Sequence, residues 1–154
     1  MGKNHGKQPL AAASPPGGKT PLALPGDDWR QRHPIWRIRL MDLDHEEWGW
    51  CRASPDDLRK VHERLAEYER KTWKEILAMR GGKGPYNGLI EIATIDARNK
   101  QAGDRIRQFR EVEAAGSLMK LRVDSARRVW GVMELNACSL FWCDPKHTVW
   151  QSDD

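Results

Sequence analysis

The sequence has few of the features that stabilise secreted or membrane proteins. Its 154 residues include only three cysteines, an odd number that argues against a disulfide scaffold and favours a reducing compartment. No apolar run approaches the roughly 20 residues that a membrane span requires, and the first residues lack the apolar stretch of a secretory signal. These absences predict a cytoplasmic protein without a membrane partner.

An excess of positive charge is also missing from most of the chain. Lys and Arg total 26 against 22 Asp and Glu, which gives a net charge of +4. Residues 1–26 carry three lysines and no acid, so residues 27–154 have a net charge of only +1. Any nucleic-acid-binding function therefore depends on a local basic patch, because the overall charge does not favour it.

Residues 1–26 are rich in Gly, Pro, Ala and Lys and show no period of 2 or 3.6. Such a segment cannot bury enough apolar area to offset the entropy lost on ordering. We therefore predict a disordered, weakly basic tail, which is either dispensable or a tether for phosphate groups. The remaining residues, 27–154, have the length of a single domain with one core.

Two helical regions are predicted in the first two thirds of that domain. Ser54, followed by a proline and two acids, is a typical helix start, and an apolar stripe with three- and four-residue spacing continues to about residue 79. Residues 81–88 are predicted to form a flexible loop. A second helix is expected after it and ends at Gly116.

Alternating apolar and polar residues predict short strands at both ends of the domain. The predicted strands are residues 35–42, 48–51, 118–123, 128–134 and 138–143. Tight turns between the last three indicate an antiparallel meander, for which residues 148–150 are a fourth candidate strand. We therefore predict an α+β domain in which two helices pack on a small antiparallel sheet.

The highest local charge lies in residues 98–128, which hold nine Lys and Arg and four acids. Lys120 and Arg122 are two apart on a predicted strand and therefore share one face. A sheet would bring them close to Arg128 on the next strand, and such a cluster is suited to binding a phosphate. The alternative is a basic, solvated sheet face without a ligand.

Three further residues near this face are candidates for the same site. Lys146 and His147 follow the last predicted strand, and His147 has the ordinary pKa range of a general acid or base. Arg127, beside the second strand, is a candidate for substrate binding.

Metal ligands are not indicated by the spacing of cysteine, histidine or acidic residues. Cys138, Cys143 and His147 have no CxxC pair among them, and the two cysteines would face opposite sides of a regular strand. We interpret both cysteines as small core or strand residues. The acids that crowd one turn, at residues 42–47, are interpreted as an exposed loop rather than a cation site. No metal or cofactor is predicted.

Tryptophan is unusually frequent, with eight residues against two each of Phe and Tyr. Large rings on strands usually fill a core between sheet and helix. This interpretation applies to five of them, namely Trp36, Trp48, Trp50, Trp130 and Trp142. Trp150 follows the turn that carries His147, where it either stacks on a nucleic-acid base or joins the core.

Residues 118–150 resemble the C-terminal sheet of the RelE/ParE-like superfamily of small bacterial toxins. That family combines a strand carrying Lys or Arg, a tight turn, an Arg-hydrophobic-aromatic strand, a hydrophobic strand and a closing basic turn before a hydrophobic-aromatic pair. The matching positions here are Lys120 and Arg122 on the first strand, Arg128, Val129 and Trp130 on the second, Ser139–Trp142 on the third, and Lys146, His147, Thr148, Val149 and Trp150 at the close.

For the nuclease branch, the resemblance implies metal-independent cleavage of RNA, including messenger RNA on the ribosome. A ribose 2′-hydroxyl would attack the adjacent phosphate. Lys120 and Arg122 would orient this phosphate or assist proton removal. Arg128 would stabilise the transition state, and Lys146 or His147 would aid the leaving oxygen.

Two other classes of function are compatible with the sequence. One is a non-catalytic binding module, either a toxin that inhibits DNA gyrase, as in the second branch of the superfamily, or an RNA-binding adaptor. The other is a protein-interaction domain that uses exposed tryptophans. Both toxin branches imply a neutralising antitoxin protein, whose acidic groups would complement the basic region.

Overall fold

The last three strands form an antiparallel meander, as the sequence predicted. They are β5 (Ser117–Arg122), β6 (Arg128–Glu134) and β7 (Ala137–Asp144), and each pairs with the next. They belong to a computed structural model that describes residues 28–150, so the tail predicted for residues 1–26 lies outside the described residues.

Two short strands complete a five-stranded sheet around the meander. β1 (Ile35–Arg37) runs parallel to β7, and β4 (Gly88–Glu91) runs antiparallel to β5, which gives the order β1-β7-β6-β5-β4. Residues 148–150 form no strand, and the edge of β7 is instead met by β1 at residues 137–139 and by the segment containing Asp42 and Trp48 at residues 141–143.

The first helical region consists of two helices rather than the single one predicted. They are α1 (Pro55–Tyr68), with Ser54 as its N-cap, and α2 (Trp73–Ala78). Thr72 has an extended backbone, and its side chain accepts a hydrogen bond from the backbone N–H of Glu75. Thr72 continues the apolar spacing but acts as the N-cap of a new helix, so periodicity alone could not show the break.

A two-stranded hairpin follows, although a flexible loop was predicted there. Its strands are β2 (Arg80–Gly81) and β3 (Gly84–Pro85). Asn87 lies at the end of this stretch and is buried. Its amide donates to the carbonyl of Ile76 and accepts from the backbone N–H of Arg122, which joins the hairpin to α2 and the main sheet.

The second helical region is divided into three helices, and the first division is made by a capping residue, Asn99. They are α3 (Ile92–Arg98), α4 (Lys100–Ile106) and α5 (Arg110–Ala115). Asn99 and Phe109 have extended backbones and separate consecutive helices. Gly116 ends α5 with a φ of 81°, a conformation that glycine adopts without strain.

Helices cover both faces of the sheet and create two hydrophobic clusters. The first lies under α1 and α2, and the second under α3, α4 and α5. The predicted α+β class is therefore confirmed. Cys138 and Cys143 are buried in the first cluster, as expected for core residues, and burial raises the pKa of both thiols to about 12.

A β-bulge places these two cysteines on the same face, which corrects the prediction from strand alternation. Trp130 pairs with Trp142 and Gly131 pairs with Leu140, so Phe141 is an extra residue in β7. The extra residue reverses the alternation beyond it. Trp142 and Asp144 therefore lie on the face of α3 to α5.

Residues 38–53 cross the edge of β7 and contribute to both clusters. The strand predicted at residues 48–51 is wrong, since Trp50–Arg52 is a turn of 3-10 helix. Trp48 belongs to the second cluster and Trp50 to the first, so the two rings do not share a side. The Trp48 carbonyl accepts from the N–H of Cys143, and the Trp50 indole donates to the carbonyl of Phe141.

The expected exposed acidic turn in this segment contains one buried carboxylate. Asp42 is 1% exposed and accepts two hydrogen bonds from the guanidinium of Arg105, at 2.8 and 2.9 Å, and one from the indole of Trp142, at 2.9 Å. Burial alone would raise the pKa of Asp42, but these bonds and the charge of Arg105 hold it below its usual value. The other acids of the turn are exposed, as predicted.

Candidate anion-binding site

Three cations and a carboxylate occupy one end of the sheet face that carries the second cluster. Arg122, Arg128 and Asp144 are direct neighbours across β5, β6 and β7, while Lys120 lies opposite Trp130. Residues directly opposite one another in antiparallel strands have Cβ atoms about 4.5–5.5 Å apart. The predicted convergence of Lys120, Arg122 and Arg128 on one face is therefore present.

These three cations, which we call the cation cluster, outnumber the buried carboxylate beside them, Asp144, whose charge acts on Arg128. None makes an ion pair with any residue in the range 28–150, although Lys120 is only 9% exposed and Arg128 only 6%. Burial, reinforced by their mutual repulsion, lowers the pKa of both Lys120 and Arg128. Such a group of desolvated positive charges is stabilised by a bound anion.

The guanidinium of Arg128 is held by hydrogen bonds from Nη1, whereas its Nε makes none within residues 28–150. Its Nη1 donates to the carbonyls of Asp124 at 2.7 Å and Arg127 at 2.9 Å. Its Nε is buried and has no partner among the described residues. An orphaned buried donor is costly, and a phosphate oxygen is the type of acceptor that would satisfy it.

His147 lies in a tight turn whose shape depends on Asp144. The φ of His147 is 55°, in the left-handed region that non-glycine residues rarely adopt. The buried carboxylate of Asp144 accepts from the backbone N–H groups of Thr148, at 2.8 Å, and Val149, at 3.1 Å. It also accepts from the indole of Trp130, at 3.2 Å. Asp144 therefore joins the turn to the sheet.

Asn99 holds the same turn from the opposite side. Its amide nitrogen donates to the carbonyls of Thr148, at 3.1 Å, and Val149, at 3.0 Å. Its amide oxygen accepts from the N–H of Ala102 and so caps α4. The indole of Trp48 donates to the hydroxyl of Thr148 at 2.9 Å. The segment that carries His147 is thus tied to α4 and to residues 38–53.

Trp150 borders the cation cluster and also contacts the core. Its half-buried ring packs against the second cluster. The guanidinium of Arg98 lies 5.1 Å and the ammonium of Lys120 lies 5.5 Å from the ring centre. Its indole N–H is buried without a partner among the described residues. The ring therefore joins the core, while its stacking on a base stays a prediction.

The guanidinium of Arg122 is supported by Tyr86, a residue that the sequence did not single out. Its central carbon lies 4.3 Å from the centre of the Tyr86 ring. The ring of Tyr86 also packs closely against Gly81, where an added Cβ would collide with the ring carbons. The backbone N–H of Arg122 is bonded to Asn87 at 2.7 Å. Both the backbone and the side chain of Arg122 are therefore held in place.

Arg127 and Lys146 do not join the cation cluster, in contrast to their neighbours in the sequence. Arg127 makes ion pairs with the carboxylates of Asp57, at 2.8 Å, Asp124, at 2.7 Å, and Asp56, at 3.0 Å, at the start of α1 and in the β5–β6 turn. These contacts raise its pKa, and we omit it from the site. Lys146 is exposed and makes no hydrogen bond or ion pair with a described residue.

Burial and the cation cluster keep His147 neutral at pH 7. They lower the pKa of its imidazole to about 4, with burial as the largest cause, followed by the charges of Arg128 and Lys120. A neutral imidazole accepts a proton, so its chemistry at neutral pH is that of a base.

The same shift predicts a pH dependence of folding. The pKa of His147 is lower in the folded state than the usual value of 6.5. Between pH 6.5 and pH 4 the unfolded chain therefore binds a proton at His147 that the folded protein does not. The stability contributed by the neutral imidazole is complete above pH 6.5 and is lost as the pH falls towards 4. Wild type is expected to lose more stability than His147→Gln between pH 7 and 4.5, as measured by urea unfolding. Parallel losses in the two proteins would contradict the shift.

Comparison with protein-family models, curated proteins and solved structures found no match for this chain. Among residues 28–150, no three His, Cys, Asp or Glu side chains are placed to hold a metal ion. Over the same range, no helix combines the length and the apolarity needed to cross a bilayer. Inferences about the function of this chain therefore come from the geometry of the cation cluster and of the turn beside it.

Proposed function

We propose that this protein is a metal-independent endoribonuclease, of the kind found as the toxin in bacterial toxin–antitoxin pairs. The observation that carries the proposal is the convergence of Lys120, Arg122 and Arg128, which form no ion pair with a described residue, beside a neutral His147. A phosphodiester supplies the missing negative charge. A ribose 2′-hydroxyl supplies the nucleophile and the proton that His147 accepts.

The reaction follows from the protonation states of the two titratable groups. The 2′-oxygen forms a bond to phosphorus while its proton passes to the imidazole of His147. The bond from phosphorus to the 5′-oxygen breaks, and that oxygen takes a proton from the ammonium of Lys120, whose lowered pKa favours release. The products are a 2′,3′-cyclic phosphate and a 5′-hydroxyl. Exchange with water restores both side chains.

The two arginines stabilise the charge that develops on the phosphate oxygens. Arg128 offers its unpaired Nε, and Arg122 presents a guanidinium held by Tyr86. Charges that are fixed before the reaction cost no reorganisation in the transition state, which makes this type of stabilisation effective. Trp150 borders the phosphate position and contacts the adjacent base.

The proposed partners follow from the same surface. RNA, free or bound to the ribosome, is the substrate, and an acidic antitoxin protein would neutralise the cation cluster. A function through exposed tryptophans is less well supported, because all eight tryptophans are buried or half-buried. The proposal is supported by the resemblance of the meander, and of the positions of its cations, to the RelE/ParE-like superfamily.

Induced expression in bacteria, followed by mapping of transcript ends, tests the proposed activity. We expect growth arrest and new RNA ends that carry a cyclic phosphate, with purified protein giving the same ends in the presence of a metal chelator. Arrest accompanied by double-strand DNA breaks and intact RNA would instead indicate gyrase inhibition. Salt-sensitive RNA binding without cleavage products would indicate a non-catalytic adaptor.

A further inference from the structure

The cation cluster is closed on one side and open on the other. The closed side is formed by residues 145–150, which Asp144 and Asn99 hold in place. The open side is the edge strand β4, where Gly88 is the direct neighbour of Lys120. An RNA chain that places its phosphate in the cluster would therefore extend across β4.

The glycine at position 88 is not required by the backbone. An added Cβ would meet no atom within 4 Å, so crowding does not exclude a side chain, and the φ of Gly88 is not in the positive range that favours glycine. Paired residues of adjacent strands direct their side chains to the same face. The missing side chain thus leaves an open slot beside Lys120, on the face that carries the cation cluster.

A planar cation lies next to this slot. The guanidinium of Arg122 stacks on Tyr86, and Tyr86 is backed by Gly81. Guanidinium planes that are held in this way accept unpaired RNA bases by stacking. Arg122 is half-exposed, in contrast to the buried Lys120 and Arg128. It is therefore the member of the cluster that a base can reach.

We propose that Gly88 and the Tyr86–Arg122 stack form a subsite for the nucleotide adjacent to the cleaved phosphate of single-stranded RNA. This inference rests on the proposed function and adds the substrate class. A base in a duplex is already stacked on both faces and paired, so it cannot enter the slot. The site therefore favours unpaired RNA and contacts at least one nucleotide beyond the phosphate.

Filling the slot tests the subsite without requiring cleavage. The probes are inorganic phosphate and a trinucleotide whose attacking 2′-hydroxyl is replaced by hydrogen, and binding is measured by calorimetry. Gly88→Leu is expected to weaken trinucleotide binding by about 10-fold, the size of one lost stacking contact, and to leave phosphate binding within about twofold. Gly88→Ala is expected to weaken trinucleotide binding by a smaller factor and to leave phosphate binding unchanged. If the leucine variant does not fold, the alanine variant tests the subsite in its place.

Gly82→Leu is the matched control, because a Cβ added at Gly82 would also meet no atom within 4 Å, but this glycine lies in the hairpin turn. We expect it to bind both probes as wild type does. Unchanged trinucleotide binding by Gly88→Leu, or equal losses for both probes, would overturn the subsite. Wild-type RNA cleavage is scored separately: its absence overturns the nuclease, whereas cleavage with no effect at Gly88 overturns only the subsite.

Discussion

Replacing Arg128 with alanine is expected to lower kcat/KM for RNA cleavage by about 100- to 1000-fold, the usual loss when a fixed transition-state donor is removed. The guanidinium is 6% exposed and already anchored to the carbonyls of Asp124 and Arg127, so it needs no reorganisation to meet a phosphate oxygen. Cleavage of a fluorescent oligonucleotide under single-turnover conditions measures the effect on the chemical step.

The adjacent arginine provides the control for this experiment. Arg127→Ala removes the same type of side chain from the next residue, but its guanidinium is paired with three carboxylates at the start of α1 and in the β5–β6 turn. It is expected to lower thermal stability and to keep near-normal kcat/KM at a temperature where it is folded. Equal losses of activity in the two variants would show that the cation cluster is not the reacting site.

Asp42→Ala is expected to lower the free energy of unfolding by about 3 kcal/mol, the lower end of the range for breaking a buried ion pair. The change removes the acceptor for Arg105, which is 23% exposed, and for the indole of Trp142. It also frees the connection between residues 38–53, β7 and α4. Urea unfolding followed by tryptophan fluorescence measures this loss.

An exposed pair of the same geometry is the control for Asp42. Arg39 makes two hydrogen bonds to Glu111, at 2.7 and 2.8 Å, on the surface. Because solvent screens such pairs, Glu111→Ala is expected to leave the urea midpoint almost unchanged. If both variants lost the same stability, burial would not be the source of the Asp42 contribution.

The sequence predicted the meander well because each of its strands is a short alternating segment between turn residues. The predictions from sequence were wrong where a single residue ends a helix or changes the register of a strand. Thr72 and Asn99 fit a helical pattern but act as caps, and this divides the predicted helices. The bulge at Phe141 reverses the faces of β7 beyond it, and no alternation pattern could reveal this.

In the candidate site, too, the features set by neighbouring residues could be predicted from the sequence, and those set by contacts between distant residues could not. Lys120 and Arg122 could be assigned to one face because strand neighbours two apart share a side. Asp144 reaches that face only through the bulge, and Tyr86 reaches Arg122 because β4, which begins two residues after it, pairs with β5. Arg127 and Arg128 are adjacent and chemically identical, and only the position of α1 decides which one is neutralised.

The order of strands in the sheet has a consequence for biosynthesis. β7 follows the other four strands of the sheet in the sequence, yet it lies inside the sheet, and its parallel partner β1 begins about one hundred residues earlier, with Ile35 paired to Ala137. Contacts so distant in sequence form slowly, and residues 145–150 can close one side of the cation cluster only after β7 has been made. A chain synthesised from its N-terminus therefore brings Arg122, Arg128 and Asp144 side by side only once β7 has been made and has paired with β6.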